Sequence, residues 1–254
     1  MCRFASLPLC LLLVSACQPD QATAPHDELT IFAASSLTDA FQELADAFAK
    51  KTGDKRPTLA FAGSQVLRLQ LAEGAKADVF ASANDTHVRS LVDAGHVFEP
   101  TVFAENELVV IVPRSNPASL ERFIDLPKAR RIVVGAPEVP IGTYTRELFE
   151  RAGSTLGPRF ASDVRDNVVS QEPNVRLVRA KVELGEADAA IVYRTDVSPG
   201  VRTIAIPPEL QVRARYHAGF VGAPPHSPEA VRWIAFLKSP EGRRILAKHG
   251  FLTP

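Results

Sequence analysis

The chain of 254 residues has no cysteine beyond residue 17, since its three cysteines are Cys2, Cys10 and Cys17. The rest of the chain can therefore form neither a disulfide framework nor a cysteine metal site. An excess of either charge is missing as well, because 29 Lys and Arg balance 29 Asp and Glu. No bulk field attracts nucleic acid or an anionic membrane surface, so a charged ligand must be recognised by local groups.

Enzyme signatures are also absent: the sequence has no G-x-G-x-x-G, no Walker loop, no H-E-x-x-H and no G-x-S-x-G. A serine hydrolase that uses Ser36 or Ser64 is the enzymatic alternative, but a nucleophilic serine needs a base. The histidines lie in the N-terminal tether or in polar surroundings away from strand ends. We therefore expect no enzyme, and we interpret each histidine as a surface residue: His26, His87, His96, His217, His226 and His249.

The apolar run of residues 4–16 is too short to span a bilayer as a permanent helix and indicates a signal peptide. Its end, Val14-Ser15-Ala16-Cys17, resembles the bacterial lipobox, in which small residues precede a cysteine that becomes acylated. We expect residues 1–17 to be a lipoprotein signal peptide and the polar residues 18–27 to be a tether. The protein would then lie in the periplasm or at the cell surface, held to the membrane only by the lipid on Cys17. An ordinary signal peptide with Cys17 as a bystander is the alternative.

From residue 28 onwards, short apolar runs alternate with segments whose apolar residues recur at helical spacing. Repeated strand–helix units predict an α/β fold with mostly parallel sheets flanked by helices. We predict two lobes joined by two chain crossings, one formed by residues 28–106 plus 218–254 and the other by residues 107–217. The predicted strands cover residues 29–33, 58–61, 77–81, 108–112, 131–135, 189–193 and 218–221, and the helices 37–48, 66–71, 86–94, 144–152, 175–184, 228–237 and 240–249.

Four turns lead from a predicted strand towards a helix, the place where a ligand crevice forms in open α/β sheets. They contain Ser36, Ser64, Ile141 and Val175. Unpaired N–H groups at helix starts can bind an anion. For each serine alone, a plain N-cap is the simpler interpretation, and Ser36 with Asp39 fits a capping box.

Tyr193 ends a predicted buried strand, so its hydroxyl either faces a ligand or is satisfied within the core. Except for Arg176, the four turns contain no Lys or Arg. Dipoles and hydrogen bonds would therefore have to meet the charge of an anion.

Six motifs occur together in an order that resembles the molybdate-binding proteins of bacterial ABC importers, over nearly all of residues 28–254. The resemblance implies a periplasmic-binding-protein type II fold, with two lobes that close on a tetrahedral oxyanion. The motifs are Phe32-Ala33-Ala34-Ser35-Ser36-Leu37-Thr38, Phe61-Ala62-Gly63-Ser64, Ala77-Asp78-Val79-Phe80-Ala81-Ser82-Ala83, Val139-Pro140-Ile141-Gly142-Thr143-Tyr144, Asn174-Val175-Arg176 and Ile191-Val192-Tyr193.

By the same resemblance, Ser36, Ser64 and Tyr193 would donate to the ligand through side chains, and Ile141 and Val175 through backbone N–H groups. The family usually has alanine where this chain has Ile141. A backbone donor survives that change, while the larger side chain either narrows the cleft or points away from it.

The resemblance implies molybdate or tungstate as ligand, molybdenum bound only as the oxyanion, no cofactor, a membrane permease as partner and a monomer. Donors alone favour an ion without a proton over phosphate, and sulfate is smaller and would leave donors unpaired. A binding protein for sulfate or a small carboxylate stays an alternative, although a carboxylate calls for an arginine clamp. The remaining alternative is a structural or adhesive lipoprotein.

Overall fold

The computed structural model describes residues 28–254. The predicted signal peptide, the tether and the acylated Cys17 lie outside these residues. No helix in the described range has both the length and the apolar character needed to cross a bilayer. The elements are β1 (Thr30–Ala34), α1 (Thr38–Thr52), β2 (Thr58–Ala62), α2 (Ser64–Ala72), β3 (Val79–Ser82), α3 (Asp85–Asp93), β4 (Val97–Pro113), β5 (Ile132–Gly135), α4 (Pro140–Leu156), α5 (Pro158–Asp166), β6 (Val168–Glu172), α6 (Val175–Glu183), β7 (Ala189–Tyr193), β8 (Val201–Ile204), β9 (Arg213–Val221), α7 (Pro228–Lys238) and α8 (Pro240–Lys248).

The strands form one sheet in the order β2-β1-β3-β9-β4-β7-β5-β6, with β8 paired to β4. At one end β1 is parallel to β2 and β3, and at the other end β5 is parallel to β6 and β7. Between them, β9 and β4 run antiparallel to their neighbours. The predicted α/β class with helices around the sheet is confirmed, and the antiparallel pairs are confined to the centre.

β4 is much longer than predicted, with 17 residues instead of the five at 108–112. Its first part pairs with β9, and its last part pairs with β7 and β8. The exposed Glu99 and Pro100 interrupt the apolar pattern near its start, which is why the sequence did not indicate this part. α5, β6 and β8 are short and were also missed. The division into lobes at residues 106 and 217 stays a prediction.

The C-terminal helices pack against α1, at the sheet end formed by β1, β2 and β3. Trp233 of α7 is fully buried, and its ring packs edge-on against Phe41 and Phe48 of α1 at centroid distances of 5.6 and 5.4 Å. The apolar positions of α7 indicated such a covering role. The helix stabilises the segment that positions the first turn of the candidate site.

Candidate functional site

One small cavity lies between the two ends of the sheet, and all five residues proposed from the sequence line it. We call its two sides the first wall (Ala34, Ser35, Ser36, Gly63, Ser64 and Ala83) and the second wall (Val139, Pro140, Ile141, Asn174, Val175 and Tyr193). The volume of the cavity is about 10 Å³. Sites for drug-sized organic ligands typically measure about 300–1,000 Å³. This space is close to that needed by a single water molecule, so it excludes a sugar or a peptide and leaves room only for a small ligand.

Ser36 and Ser64 of the first wall do not cap helices, so that interpretation of the sequence was wrong. Ser36 lies within a short 3-10 turn, and α1 begins after Leu37 without a side-chain cap. Ser64 is the first residue of α2, with Gly63 at the N-cap position and again no side-chain cap. Both hydroxyls are therefore free of the role that most simply explains a serine at a helix start.

Other groups of the protein instead donate a hydrogen bond to the Oγ atom of each serine. The Tyr216 hydroxyl donates to Ser36 Oγ at 3.0 Å, and the Ala83 N–H donates to Ser64 Oγ at 3.2 Å. Since a hydroxyl has a single proton, each serine can turn that proton towards the cavity. Asn106 Nδ2 lies 3.5 Å from the Tyr216 oxygen as a donor, which extends the chain of hydrogen bonds behind Ser36. Both serines are thus prepared to donate.

Tyr193 supplies a hydroxyl from the second wall. The residue is 1% exposed, and among residues 28–254 its oxygen has no hydrogen-bond partner. Its ring lies edge-on between Tyr144 and Tyr216, at centroid distances of 6.4 and 5.9 Å. Burial raises the pKa of this phenol well above its usual value, so the hydroxyl keeps its proton. A buried hydroxyl without a partner is costly, and a ligand oxygen in the cavity would satisfy it.

The other donors of the second wall are the first amides of two helices. Val139 precedes α4 without a side-chain cap, and Pro140 has no N–H, so the Ile141 amide is the first donor of that helix. At α6 the Asn174 side chain accepts from the Leu177 N–H at 3.0 Å, which leaves the Val175 amide unpaired by the cap. Each helix start also carries about half a positive charge.

The side chain of Ile141 belongs to the buried core, and a glycine makes room for it. A Cβ at Gly135 would come within 2.6 Å of Ile141 Cγ2. Ile141 is therefore directed against the end of β5, and its amide is the group available to the cavity. Of the two orientations that the sequence left open, the structure favours the one that points away.

Three side chains join the walls or the segments beside them. Gln65 Nε2 donates to the Pro173 carbonyl at 2.7 Å, and His87 Nε2 lies 2.9 Å from the Glu138 carbonyl oxygen. Arg176 makes the third connection, to Ser35 and Asp39.

His87 is buried, so its interpretation as a surface residue was wrong, and burial lowers its pKa. His226 stacks on Phe220 and was also misjudged, because its side chain is 8% exposed.

Asp196 is the carboxyl group behind the second wall. It is 1% exposed, and within the described part of the chain its Oδ2 has no hydrogen-bond partner. Burial raises its pKa to about 7, while the charges of Arg176 and Arg179 lower it and that of Asp39 raises it. Nowhere in residues 28–254 do three or more His, Cys, Asp or Glu side chains form a group that could hold a metal ion.

The sequence reasoning missed Tyr216, Asn106 and Asp196. Tyr216 had a usable signal, because charged residues alternate with Ala214 and Tyr216 at the start of β9. The predicted strand began only at residue 218 and left this tyrosine out.

Comparisons with known proteins agree on one family. The model of the bacterial extracellular solute-binding proteins matches residues 29–252. The chain is 33% identical over 255 residues to the molybdate-binding protein ModA of Mycobacterium tuberculosis, which covers 98% of this chain and 94% of that protein. It is 32% identical over 245 residues to the ModA protein of Escherichia coli, with 91% of each chain covered.

Solved structures show the same fold. The periplasmic molybdate-binding protein of Azotobacter vinelandii superposes with a TM-score of 0.74 at 19% identity, covering 89% of this chain and 100% of that one. The sulfate-binding protein SubI of Mycobacterium tuberculosis superposes with a TM-score of 0.76 at 15% identity, covering 89% and 86%. At these identities the likeness establishes the fold alone.

Proposed function

The chain belongs to the bacterial extracellular solute-binding proteins, and on that premise we propose that it captures molybdate or tungstate and delivers it to the membrane permease of an ABC importer. One observation supports the proposal: Ser36, Ser64, Tyr193, Ile141 and Val175, which carry the hydroxyls and helix-start amides proposed as donors, together line one small cavity. Within residues 28–254, no lining residue of this cavity is charged. The relatives in Mycobacterium tuberculosis and Escherichia coli, named for molybdate, support this choice of ion.

A neutral set of donors is sufficient for a dianion. Hydrogen bonds to a charged acceptor contribute about 1.5–3 kcal/mol each, and each helix start adds about half a positive charge. Phosphate near neutral pH keeps a proton that needs an acceptor. Ser36 and Ser64 already accept from Tyr216 and Ala83, so neither is well placed to receive that proton.

Sulfate on the same fold is the second candidate, and the likeness to the sulfate-binding protein SubI keeps it open. Sulfate carries the same charge as molybdate and no proton, so only size separates the two ions. A smaller ion would leave donors such as Tyr193 unpaired or stretched, at a cost of about 1–3 kcal/mol for each buried group.

We do not propose an enzyme. The serine hydroxyls that would have to act as nucleophiles are hydrogen-bonded to Tyr216 and to the Ala83 amide, and neither group is a base at neutral pH. The buried His87 is engaged with the Glu138 carbonyl instead. The family to which the chain belongs is one of binding proteins.

For localisation, we propose a monomer held at the outer side of a membrane by a lipid on Cys17, with residues 18–27 as tether. Support comes from the lipobox-like residues 14–17. Mass spectrometry of the exported protein should show a lipid on Cys17 at the mature N-terminus. An unmodified Cys17 would contradict acylation.

The proposed ligand is tested by calorimetry with molybdate, tungstate, sulfate and phosphate on the protein without residues 1–17. Molybdate and tungstate should bind tightly and raise the melting temperature, because a ligand of the folded state stabilises it by RT ln(1 + [L]/Kd). Sulfate and phosphate should do neither at the same concentration. If sulfate bound as tightly as molybdate, the size argument would fail and the second candidate would replace the first.

A further inference from the structure

Arg176 follows the proposed backbone donor Val175, yet its guanidinium group is not part of the cavity lining. Its Nε donates to the Ser35 carbonyl at 2.9 Å, and its Nη2 donates to Asp39 Oδ2 at 2.7 Å. The side chain is 29% exposed. A side chain from the start of α6 therefore contacts the turn that carries Ser36.

This contact connects the two ends of the sheet. α6 packs beside β5 and β7, whereas Ser35 and Asp39 belong to the turn between β1 and α1. A planar guanidinium presents several donors in a fixed fork, so a single Arg can hold a carbonyl and a carboxylate at once. A lysine at the same place would keep the charge without that fork.

The two acceptors bear on the first wall in different ways. The Ser35 carbonyl also accepts from Thr38 Oγ1 at 2.7 Å, so two donors fix the peptide group that precedes Ser36. Asp39 stands in the first turn of α1, and its negative charge opposes an anion in the cavity. Arg176 offsets that charge, and it would do so without competing for the ligand.

We propose that Arg176 is a positioning residue for anion capture: by joining the α6 start to Ser35 and Asp39, it holds the walls together around the ion and slows its release. The inference rests on the proposed function. Gln65 and His87 make similar connections, but each contributes one contact to a neutral carbonyl. Arg176 makes two bonds, one of them between charged groups, and such bonds are the stronger ones.

The first test measures the release of labelled molybdate into an excess of unlabelled ion. Arg176→Ala should release the ion about tenfold faster and bind it at nearly the parent rate. Arg176→Lys should lie between this variant and the parent. Arg202→Ala is the matched control, because Arg202 pairs with Glu121 at 3.2 Å within one half of the molecule and should change nothing. Equal release from Arg176→Ala, Arg202→Ala and the parent would overturn the proposal.

A second readout is independent of the identity of the ion. Because no cysteine follows residue 17, Leu69→Cys and Leu184→Cys introduce two unique, exposed sites for spin labels, one on each side of the cavity. Adding Arg176→Ala should lengthen the mean distance between the labels and broaden the distance distribution, and adding Arg202→Ala should do neither. An unchanged distance with Arg176→Ala would overturn the inference. A parent protein that binds no molybdate but responds to Arg176→Ala would refute the proposed function alone.

Discussion

In the proposed site, the two walls of the cavity would offer the ion the same kind of hydrogen bond by different means. The first wall uses side chains, the hydroxyls of Ser36 and Ser64, whose acceptor sides are occupied by the protein. The second wall uses mainly backbone, the amides of Ile141 and Val175 at two helix starts, and adds Tyr193. A side-chain donor is specified by its own residue, whereas a backbone donor is specified by the neighbours that determine the path of the chain.

For the Ile141 amide, those neighbours are two glycines beside the second wall. Gly142 lies so close to the carbonyl oxygens of Gly135 and Ala136 that any Cβ would overlap them, and Gly135 leaves room for the Ile141 side chain. The identity of residue 141 can therefore vary more freely than that of residues 135 and 142. The following predictions test this difference, in order of decreasing effect on affinity.

Gly142→Ala should have the largest effect. The new methyl group forces the start of α4 away from Gly135 and Ala136, which displaces the Ile141 amide. We expect molybdate affinity to fall by about 100-fold and the free energy of unfolding by about 1–3 kcal/mol. Calorimetry and denaturant titration measure the two.

The control for this change is Gly153→Ala in the same helix, where a Cβ would meet only Ala161 Cβ, at 3.1 Å. This variant should keep the parent affinity. Parent-like binding by Gly142→Ala would show that the second wall does not depend on this close backbone packing.

Tyr193→Phe removes the hydroxyl donor of the second wall and should weaken molybdate binding by about 10- to 100-fold. The anion-free protein should be as stable as the parent or more stable, because the lost hydroxyl has no partner in the described residues. Tyr216→Phe is the contrast, since it loses the bond to Ser36 Oγ and should reduce stability. A Tyr193→Phe variant that lost stability but kept its affinity would identify Tyr193 as an ordinary core tyrosine.

A pair of alanine substitutions compares the walls directly. Ser64→Ala should weaken binding by about tenfold, because a donor is lost. Ile141→Ala should leave affinity within about threefold, yet reduce the free energy of unfolding by about 2–4 kcal/mol through the space left against Gly135. If Ile141→Ala impaired binding more than Ser64→Ala, the distinction between the walls would be wrong.

The strand–helix turns were predicted because each follows from a short local pattern, and the choice of the five cavity residues came from the resemblance of six ordered motifs to molybdate-binding proteins. The predicted capping role of Ser36 was wrong because a 3-10 turn precedes α1, so that Ser36 is not at the N-cap of that helix. The partner of Ser36 is Tyr216, which is 180 residues away in the chain. Likewise, the Glu138 carbonyl 51 residues away makes a buried His87 tolerable. Such contacts depend on the assembled sheet, and local spacing does not contain them.

The last prediction concerns the charge of Asp196, which lies behind the second wall. Burial raises the pKa of Asp196 to about 7, well above the usual range of an aspartate, so the folded protein keeps a proton that the unfolded chain has lost at intermediate pH. The free energy of unfolding therefore falls as pH rises from about 4 to 7. Above pH 7 Asp196 is ionised in both states and lowers it no further. Tyr193 and Tyr216 face the same carboxyl group, and Arg176, Arg179 and Asp39 influence its charge.

An ionised Asp196 adds a negative charge near the bound dianion, so molybdate affinity should fall about three- to tenfold between pH 6 and 8.5. Asp196→Asn should show a nearly flat profile over this range, in which the ion itself carries no proton. Calorimetry in two buffers with different ionisation enthalpies should also show a fraction of a proton taken up on binding near pH 7.5 by the parent, and none by the variant. A parent profile as flat as that of Asp196→Asn would mean that the charge of Asp196 does not affect molybdate affinity.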